Sequence, residues 1–294
     1  MNSENTPLIF GEVLFDVFPD GSRVLGGAPF NVAWHCQAFG LNPLFISRVG
    51  NDALGKEIEN AMREWGMNTK GLQLDKTHNT GVVRVKIVDD EPSYDIVENS
   101  AWDYIDTQNL PSIDNHSFLY HGSLSMRGSV SNNCLAFLKN QFSDSIFVDI
   151  NLRPPWWNQA QINDMLKSAQ WLKLNVDELA LIIPKGKDIS EKVKILTSES
   201  PFKFIVVTKG SEGALAFDDS GMYSVEPESN INLVDTVGAG DAFTSVLLLG
   251  LHKDWSLKQI ISRAQQFASE IVGLHGATIQ DKDFYAPFIK DWNL

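Results

Sequence analysis

Ile146-Phe147-Val148-Asp149-Ile150, then Gln161–Ala169, then Trp171-Leu172-Lys173-Leu174 is the stretch that sets the fold class. Its outer segments are short, apolar and rich in branched and aromatic residues, as strands are, and the segment between them is helix-like. Outward from it, strand candidates recur at Leu8–Phe18, Leu44–Val49, Phe118–Gly122 and Phe204–Thr208. Helix-like stretches lie near Phe30–Phe39, Leu54–Trp65, Val130–Asn140 and Glu191–Leu196, and the last third adds Asp241–Leu251 and Leu257–Leu274. This β-α alternation predicts a mostly parallel sheet covered by helices on both faces. One interval breaks the rhythm. Thr80–Val88 and Ser93–Val97 are β-type runs joined by the polar turn Asp89-Asp90-Glu91-Pro92, with no helix between them. They predict a hairpin outside the main sheet, placed to act as a flap over ligands beyond the carboxyl ends of the strands.

The 294 residues suit one large α/β domain, and 43% hydrophobic with 21% charged residues supply an ordinary globular core. Met1 to Pro7 is polar and lacks the basic and apolar segments of a secretory signal. Apolar runs such as Val246–Leu249 are too short to span a bilayer. Cys36 and Cys134 have no paired spacing and read as buried thiols in a reducing cytoplasm. The six histidines form no zinc-binding pattern. A net charge of −13 argues against nucleic acid and anionic membranes as partners. An anionic cofactor would have to be held locally, by amide dipoles, a few basic side chains and a divalent cation.

Three glycine-bearing segments carry the chemistry. Asp235-Thr236-Val237-Gly238-Ala239-Gly240-Asp241-Ala242-Phe243 runs from a small-residue loop into an apolar helix. A helix start leaves several N–H groups without internal partners, and with the helix dipole they form an anion site. Gly238 and Gly240 let the backbone come close to such a ligand. Asp241, in the first turn, would stabilise the helix terminus or accept a proton from an attacking hydroxyl. A dinucleotide fingerprint fails here, because Phe243 stands at its third glycine. Gly50-Asn51-Asp52-Ala53-Leu54-Gly55-Lys56-Glu57 nearly spells a phosphate-cradling P-loop. It has Glu57 where that loop needs Ser or Thr, and Asp52 puts a carboxylate where phosphate oxygens belong. Gly26-Gly27-Ala28-Pro29-Phe30-Asn31 is a paired glycine before a helix, read either as a tight turn or as room for a neutral, hydroxyl-rich ligand near Asn31.

In order and over nearly the whole chain, these segments resemble the PfkB (ribokinase-like) family of carbohydrate kinases. Gly11-Glu12-Val13-Leu14-Phe15-Asp16 is similar to the family's first strand, which implies that Asp16 binds sugar hydroxyls. Gly26–Ala33 is similar to its first signature, which implies sugar contacts at Gly27 and Asn31. Gly50–Gly55 fits the family's Gly-x-Asp-x-x-Gly element. Asp149-Ile150-Asn151-Leu152-Arg153 resembles a strand end near sugar and phosphate, and Asn175-Val176-Asp177-Glu178 an element tied to phosphate and, indirectly through Glu178, to magnesium. Thr208-Lys209-Gly210 resembles the nucleotide-side strand end. Asp235–Phe243 resembles the second signature, which implies an anion hole at Gly238, Ala239, Gly240 and Asp241, with Asp241 as base.

The resemblance implies a three-layer α/β/α sandwich over residues 1–294, with a small β-sheet lid at approximately 12–25 and 80–100 that often mediates dimers. ATP and Mg²⁺ are implied as cofactor and metal, and some relatives bind a monovalent cation such as K⁺, here near Asp235. The implied reaction is ATP-dependent phosphorylation of a primary hydroxyl of a small sugar, fructose first. The alternatives are 2-keto-3-deoxygluconate, whose carboxylate would pair with Arg84 and Arg153, a ribokinase-like substrate, and a nucleoside stacked on Trp102 or Phe15. A non-catalytic sugar-binding protein is the reading from another class, and retention of Asp241 and the anion-hole glycines argues against it.

Overall fold

In the computed structural model, which describes residues 6–88, 91–113, 116–227 and 235–294, Leu8 and Phe10 of the first strand point to one side of a sheet and Ile9 to the other. That strand, β1 (Thr6–Phe10), lies between β4 (Leu44–Gly50) and β8 (His116–His121), once β2 (Leu14–Val17), β3 (Arg23–Gly26), β5 (Leu72–Asp75), β6 (Gly81–Val88) and β7 (Glu91–Ile96) are counted along the chain. β9 (Ile146–Asp149), β10 (Trp171–Asn175) and β11 (Phe204–Thr208) follow, then β12 (Ala214–Asp218) and β13 (Gly221–Val225). The central sheet has the order β13-β12-β11-β10-β9-β8-β1-β4-β5. It is parallel from β5 to β11, and β12 and β13 close one edge antiparallel.

Two apolar layers cover this sheet. On the Ile9 side the core is built with α1 (Ala28–Ala38), α2 (Ala53–Trp65), α7 (Ala239–His252), α8 (Leu257–Ile271) and α9 (Lys282–Trp292). On the Leu8 side it is built with α3 (Ser129–Gln141), α4 (Gln159–Ser168), α5 (Val176–Ile182) and α6 (Ile189–Glu199). The result is the three-layer α/β/α sandwich. A second sheet, in the order β3-β2-β6-β7, stands apart as a lid, with β6 and β7 antiparallel as the hairpin reading required. The turn residues Asp89 and Asp90 lie outside the described residues.

One strand is not as the sequence suggested. Leu8–Phe18 is not continuous: β1 belongs to the central sheet and β2 to the lid. The chain turns at Gly11, whose φ is +154°, where its N–H bonds the carbonyl of Ile46 and a Cβ would collide with the Pro29 ring. Strands β5, β12 and β13 and helices α5 and α9 were not anticipated. The near-P-loop is a helix cap: Asp52 Oδ1 accepts the Gly55 N–H (2.8 Å), and Oδ2 accepts the Thr80 N–H (2.8 Å), tying α2 to the root of the lid. Cys36 and Cys134 are buried and unpaired. Among the described residues no helix is long and apolar enough to cross a membrane.

Candidate active site

Helix α7 differs from most of its neighbours at its start. α2, α4, α5, α6, α8 and α9 each have a side chain accepting from a first-turn N–H, whereas α7 has no side-chain cap. Its N-cap is Gly238, at φ +80°, and a Cβ there would meet Ala277. The Ala239 N–H reaches the Thr236 carbonyl only at 3.4 Å. The first-turn amides of Gly240 and Asp241 have no intrahelical acceptor, so their dipoles favour an anion.

Asp241 is half-buried in that first turn and accepts a hydrogen bond from Asn31 Nδ2 (2.8 Å). Asn31 is in the first turn of α1, whose N-cap Gly27 has φ +109° and packs against the backbone of Glu12. A Cβ placed on Gly26 would lie 3.4 Å from Asp16 Oδ2 and 3.9 Å from Asn31 Oδ1, so the lid carboxylate and the α1 amide converge over one backbone position. The Asn31 Oδ1 atom is buried and has no protein partner. Asp16, Asn31, Gly27 and Asp241 thus form one polar wall, although they are far apart in sequence.

Behind this wall Asp149, at the end of β9, takes the Lys173 ammonium (2.9 Å) and the Thr244 hydroxyl (2.9 Å). Arg153 is exposed, and its charge lowers the pKa of Asp16, Glu12 and Asp241 alike. Glu178 holds the neighbouring loop: its carboxylate accepts the N–H groups of Leu152 and Asn175 (both 2.8 Å), while Asn175 Oδ1 accepts the Glu178 N–H. The Asn-x-x-Glu element is therefore a capping box at the start of α5. Asn175 pairs in register with Thr208, so the strand ends of β10 and β11 open side by side. Beyond them Lys209 donates its N–H to the Gly213 carbonyl (2.7 Å), and Gly210, at φ +58°, faces open space.

One residue falls away from this cluster. Arg84 is paired in register with Val17, one residue on from Asp16, and therefore lies on the opposite face of the lid. It is 61% exposed and faces Asp95 at 3.7 Å. The sugar-acid pairing suggested for it would need this side chain on the other face of the strand. Asp235 sits before α7, where its carboxylate accepts the N–H groups of Val237 (2.9 Å) and Gly276 (3.3 Å).

Burial dominates the electrostatics. It pushes Asp241 up to about 6, against the Asn31 hydrogen bond and the Lys173 charge. It likewise pushes Asp16 to about 6, opposed by Arg153. Glu12, at the crossing from β1 to the lid, is 3% exposed and is pushed to about 7. Tyr120, on β8, is raised well above an ordinary phenol by burial and by the carboxylates of Asp149, Asp241 and Glu12. Glu12, Tyr120 and Lys173 were not singled out in the sequence. A lone lysine between Leu172 and Leu174 in an apolar strand was the readable signal for Lys173; nothing marked Tyr120.

The donor set fits a nucleotide triphosphate. Uncapped amides, Lys209 and Arg153 suit phosphate oxygens, and Gly210 leaves open space beside them. Among the described residues no group of three or more His, Cys, Asp and Glu side chains could hold a metal ion.

A family model described as pfkB family carbohydrate kinase matches residues 9–283. Fructokinase-2 of Oryza sativa subsp. japonica is 29% identical, over 86% of this chain and 82% of that protein. The fructokinase of Escherichia coli is 28% identical, over 92% and 94%. Among solved structures, the fructokinase of Vibrio cholerae O395 bound to fructose, ADP and calcium superposes with a TM-score of 0.83. It is 25% identical and covers 97% of this chain and 99% of that one.

Proposed function

The chain belongs to the pfkB family of carbohydrate kinases and phosphorylates a small sugar with ATP; from that premise we propose that its acceptor is a primary hydroxyl of fructose. Asp241 takes the hydroxyl proton, and the freed oxygen attacks the γ-phosphorus in line as the bond to the bridging oxygen of ADP breaks. The amides of Ala239, Gly240 and Asp241 donate to the oxygens of the transferred group, where negative charge gathers. Asn31 holds Asp241 in place, and Asp16, with Asn31 and the backbone of Gly27, receives the sugar hydroxyls beneath the lid. Arg153, Asn175, Glu178, Thr208, Lys209 and Gly210 line the phosphate and nucleotide side. Mg²⁺, when bound, neutralises charge on the phosphates, and Asp235 is where a monovalent cation such as K⁺ would be held.

One observation carries this reading: a half-buried carboxylate in the first turn of an uncapped helix, hydrogen-bonded to Asn31, whose Oδ1 converges with the Asp16 carboxylate over Gly26. Fructose is favoured over 2-keto-3-deoxygluconate because Arg84 faces away, leaving Arg153 as the one arginine of the suggested pair on the cleft side. A nucleoside is disfavoured because Trp102 (0% exposed) and Phe15 (2%) are packed inside. A homodimer through the lid, on which Val24 and Tyr94 are exposed, and a cytoplasmic site of action belong to the same reading. So does the exclusion of nucleic-acid partners by the net charge of −13.

The test is ADP release over fructose, ribose, 2-keto-3-deoxygluconate, glucose and adenosine, run with the wild-type chain and Asp241→Asn. Turnover of fructose above the others is expected, and the variant should lose on the order of 10²–10⁴ in kcat with near-native melting. Preference for another member of the panel would replace fructose; wild-type turnover by the variant would remove Asp241 as base.

A further inference from the structure

Lys173 stands in the middle of β10 between Leu172 and Leu174, and is itself only 8% exposed. A buried ammonium is costly unless it is paired and hydrogen-bonded. Its register partner on β9 is Asp149, whose two carboxylate oxygens lie 2.9 and 3.2 Å from Nζ. Asp149 Oδ2 also accepts the Thr244 hydroxyl, and that hydroxyl lies 2.9 Å from the Gly240 carbonyl as well. The ammonium is 3.5 Å from where a Cβ on Gly240 would be. Lys173 therefore sits directly against the first turn of α7, and the reaction described above gives it no part.

We propose that Lys173 is a positioning residue: with Asp149 and Thr244 it anchors the first turn of α7, and it supplies the positive charge against which Asp241 is held as a carboxylate. The inference rests on Asp241 being the base. Around Asp241 the groups are Asn31 from α1, Glu12 after β1, Tyr120 of β8, Asp149 of β9, Arg153 after β9 and Lys173 of β10. Asn31 and Lys173 are the strongest influences favouring the ionised form; Arg153 adds to them more weakly, and Asp149 opposes them. Lys173 remains a cation there because Asp149, Glu178 and Asp241 together outweigh its burial.

The experiment is kcat/KM for the sugar from pH 5 to 9 in the wild type, Lys173→Met, Lys173→Arg and the double variant Lys173→Gln with Asp149→Asn, with melting curves for each. Loss of one close charge moves a carboxyl by about one pK unit, so Lys173→Met should lose on the order of tenfold more activity at pH 5 than at pH 8.5. Lys173→Arg should keep the wild-type acid limb while kcat falls. The double variant removes both members of the buried Lys173–Asp149 ion pair and serves if Lys173→Met does not fold. Its limb should also move to higher pH, because Lys173 acts on Asp241 more strongly than Asp149 does. Equal loss at every pH, or an Arg variant whose limb moves as far as the Met variant's, would reduce Lys173 to a brace of the fold. An active Asp241→Asn enzyme is the separate result that would remove the base itself.

Discussion

Glu12 illustrates what one residue can hide. It follows Gly11 at the end of β1, and a glutamate after a turn reads from sequence as an exposed side chain. In the fold it is 3% exposed, its Oε2 has no protein partner, and its carboxyl is pushed to about 7 from an ordinary 4.5, mainly by burial. A carboxyl with a raised folded-state pKa costs nothing below its unfolded value, where both states are protonated. The cost grows as pH rises from about 4.5 and is complete above about 7, where it reaches at most about 3 kcal/mol. Glu12→Gln should therefore melt with the wild type near pH 4.5 and above it at pH 8. Melting curves of both proteins across that range would show the difference opening with pH; a constant difference would sink the idea. Asp241, by contrast, was readable as a candidate, because its place two residues after Ala239 at a helix start is written locally.

At the scale of elements, the start of α7 was legible for the same reason: a glycine loop before an apolar helix is a local pattern. Its need for glycine comes from elsewhere, since the φ of +80° at Gly238 is accompanied by Ala277 standing where a Cβ would go. Gly238→Ala should cost about 1–3 kcal/mol and, by shifting the first-turn amides, reduce kcat well beyond its effect on sugar KM. Melting and steady-state kinetics check this, and an unchanged kcat would detach the loop from the chemistry. Other elements were obscured by local signals that tertiary packing overrode. Leu8–Phe18 has the composition of one strand, and only the contact of Gly11 with Pro29 and Ile46 splits it between two sheets. Pro287 lies inside α9, where proline normally argues against a helix, yet Tyr285, Phe288 and Trp292 of that helix are packed into the core.

At the scale of the molecule, the lid is fastened to the sandwich by Arg127. Its guanidinium bonds Asp103 through Nε (2.7 Å) and an Nη (2.9 Å), donates to the Val97 carbonyl just past β7, and stacks on Trp102 at 4.0 Å and Trp156 at 4.7 Å. Both members of the ion pair are nearly buried, at 6% and 7% exposure. Arg127→Met would strand the Asp103 carboxylate and should destabilise the protein by about 3–5 kcal/mol. Adding Asp103→Asn should recover part of the loss. Denaturant melts of the single and double variants measure this; a single variant that melts with the wild type would show that the clamp does not hold the lid.

By itself the sequence determined the α/β class, the antiparallel hairpin, the failure of the P-loop and dinucleotide readings, and the glycine-led helix start proposed to gather phosphate. Each is set by short-range periodicity or by the backbone needs of neighbouring residues. Only the tertiary structure decided that Arg84 faces away from Asp16, that Asn31 reaches Asp241 across 210 positions, and that Glu12, Tyr120 and Lys173 stand around the same carboxylate. Those relations depend on which strand lies beside which and on how deeply each charge is withdrawn from water, and neither is contained in any local stretch of chain.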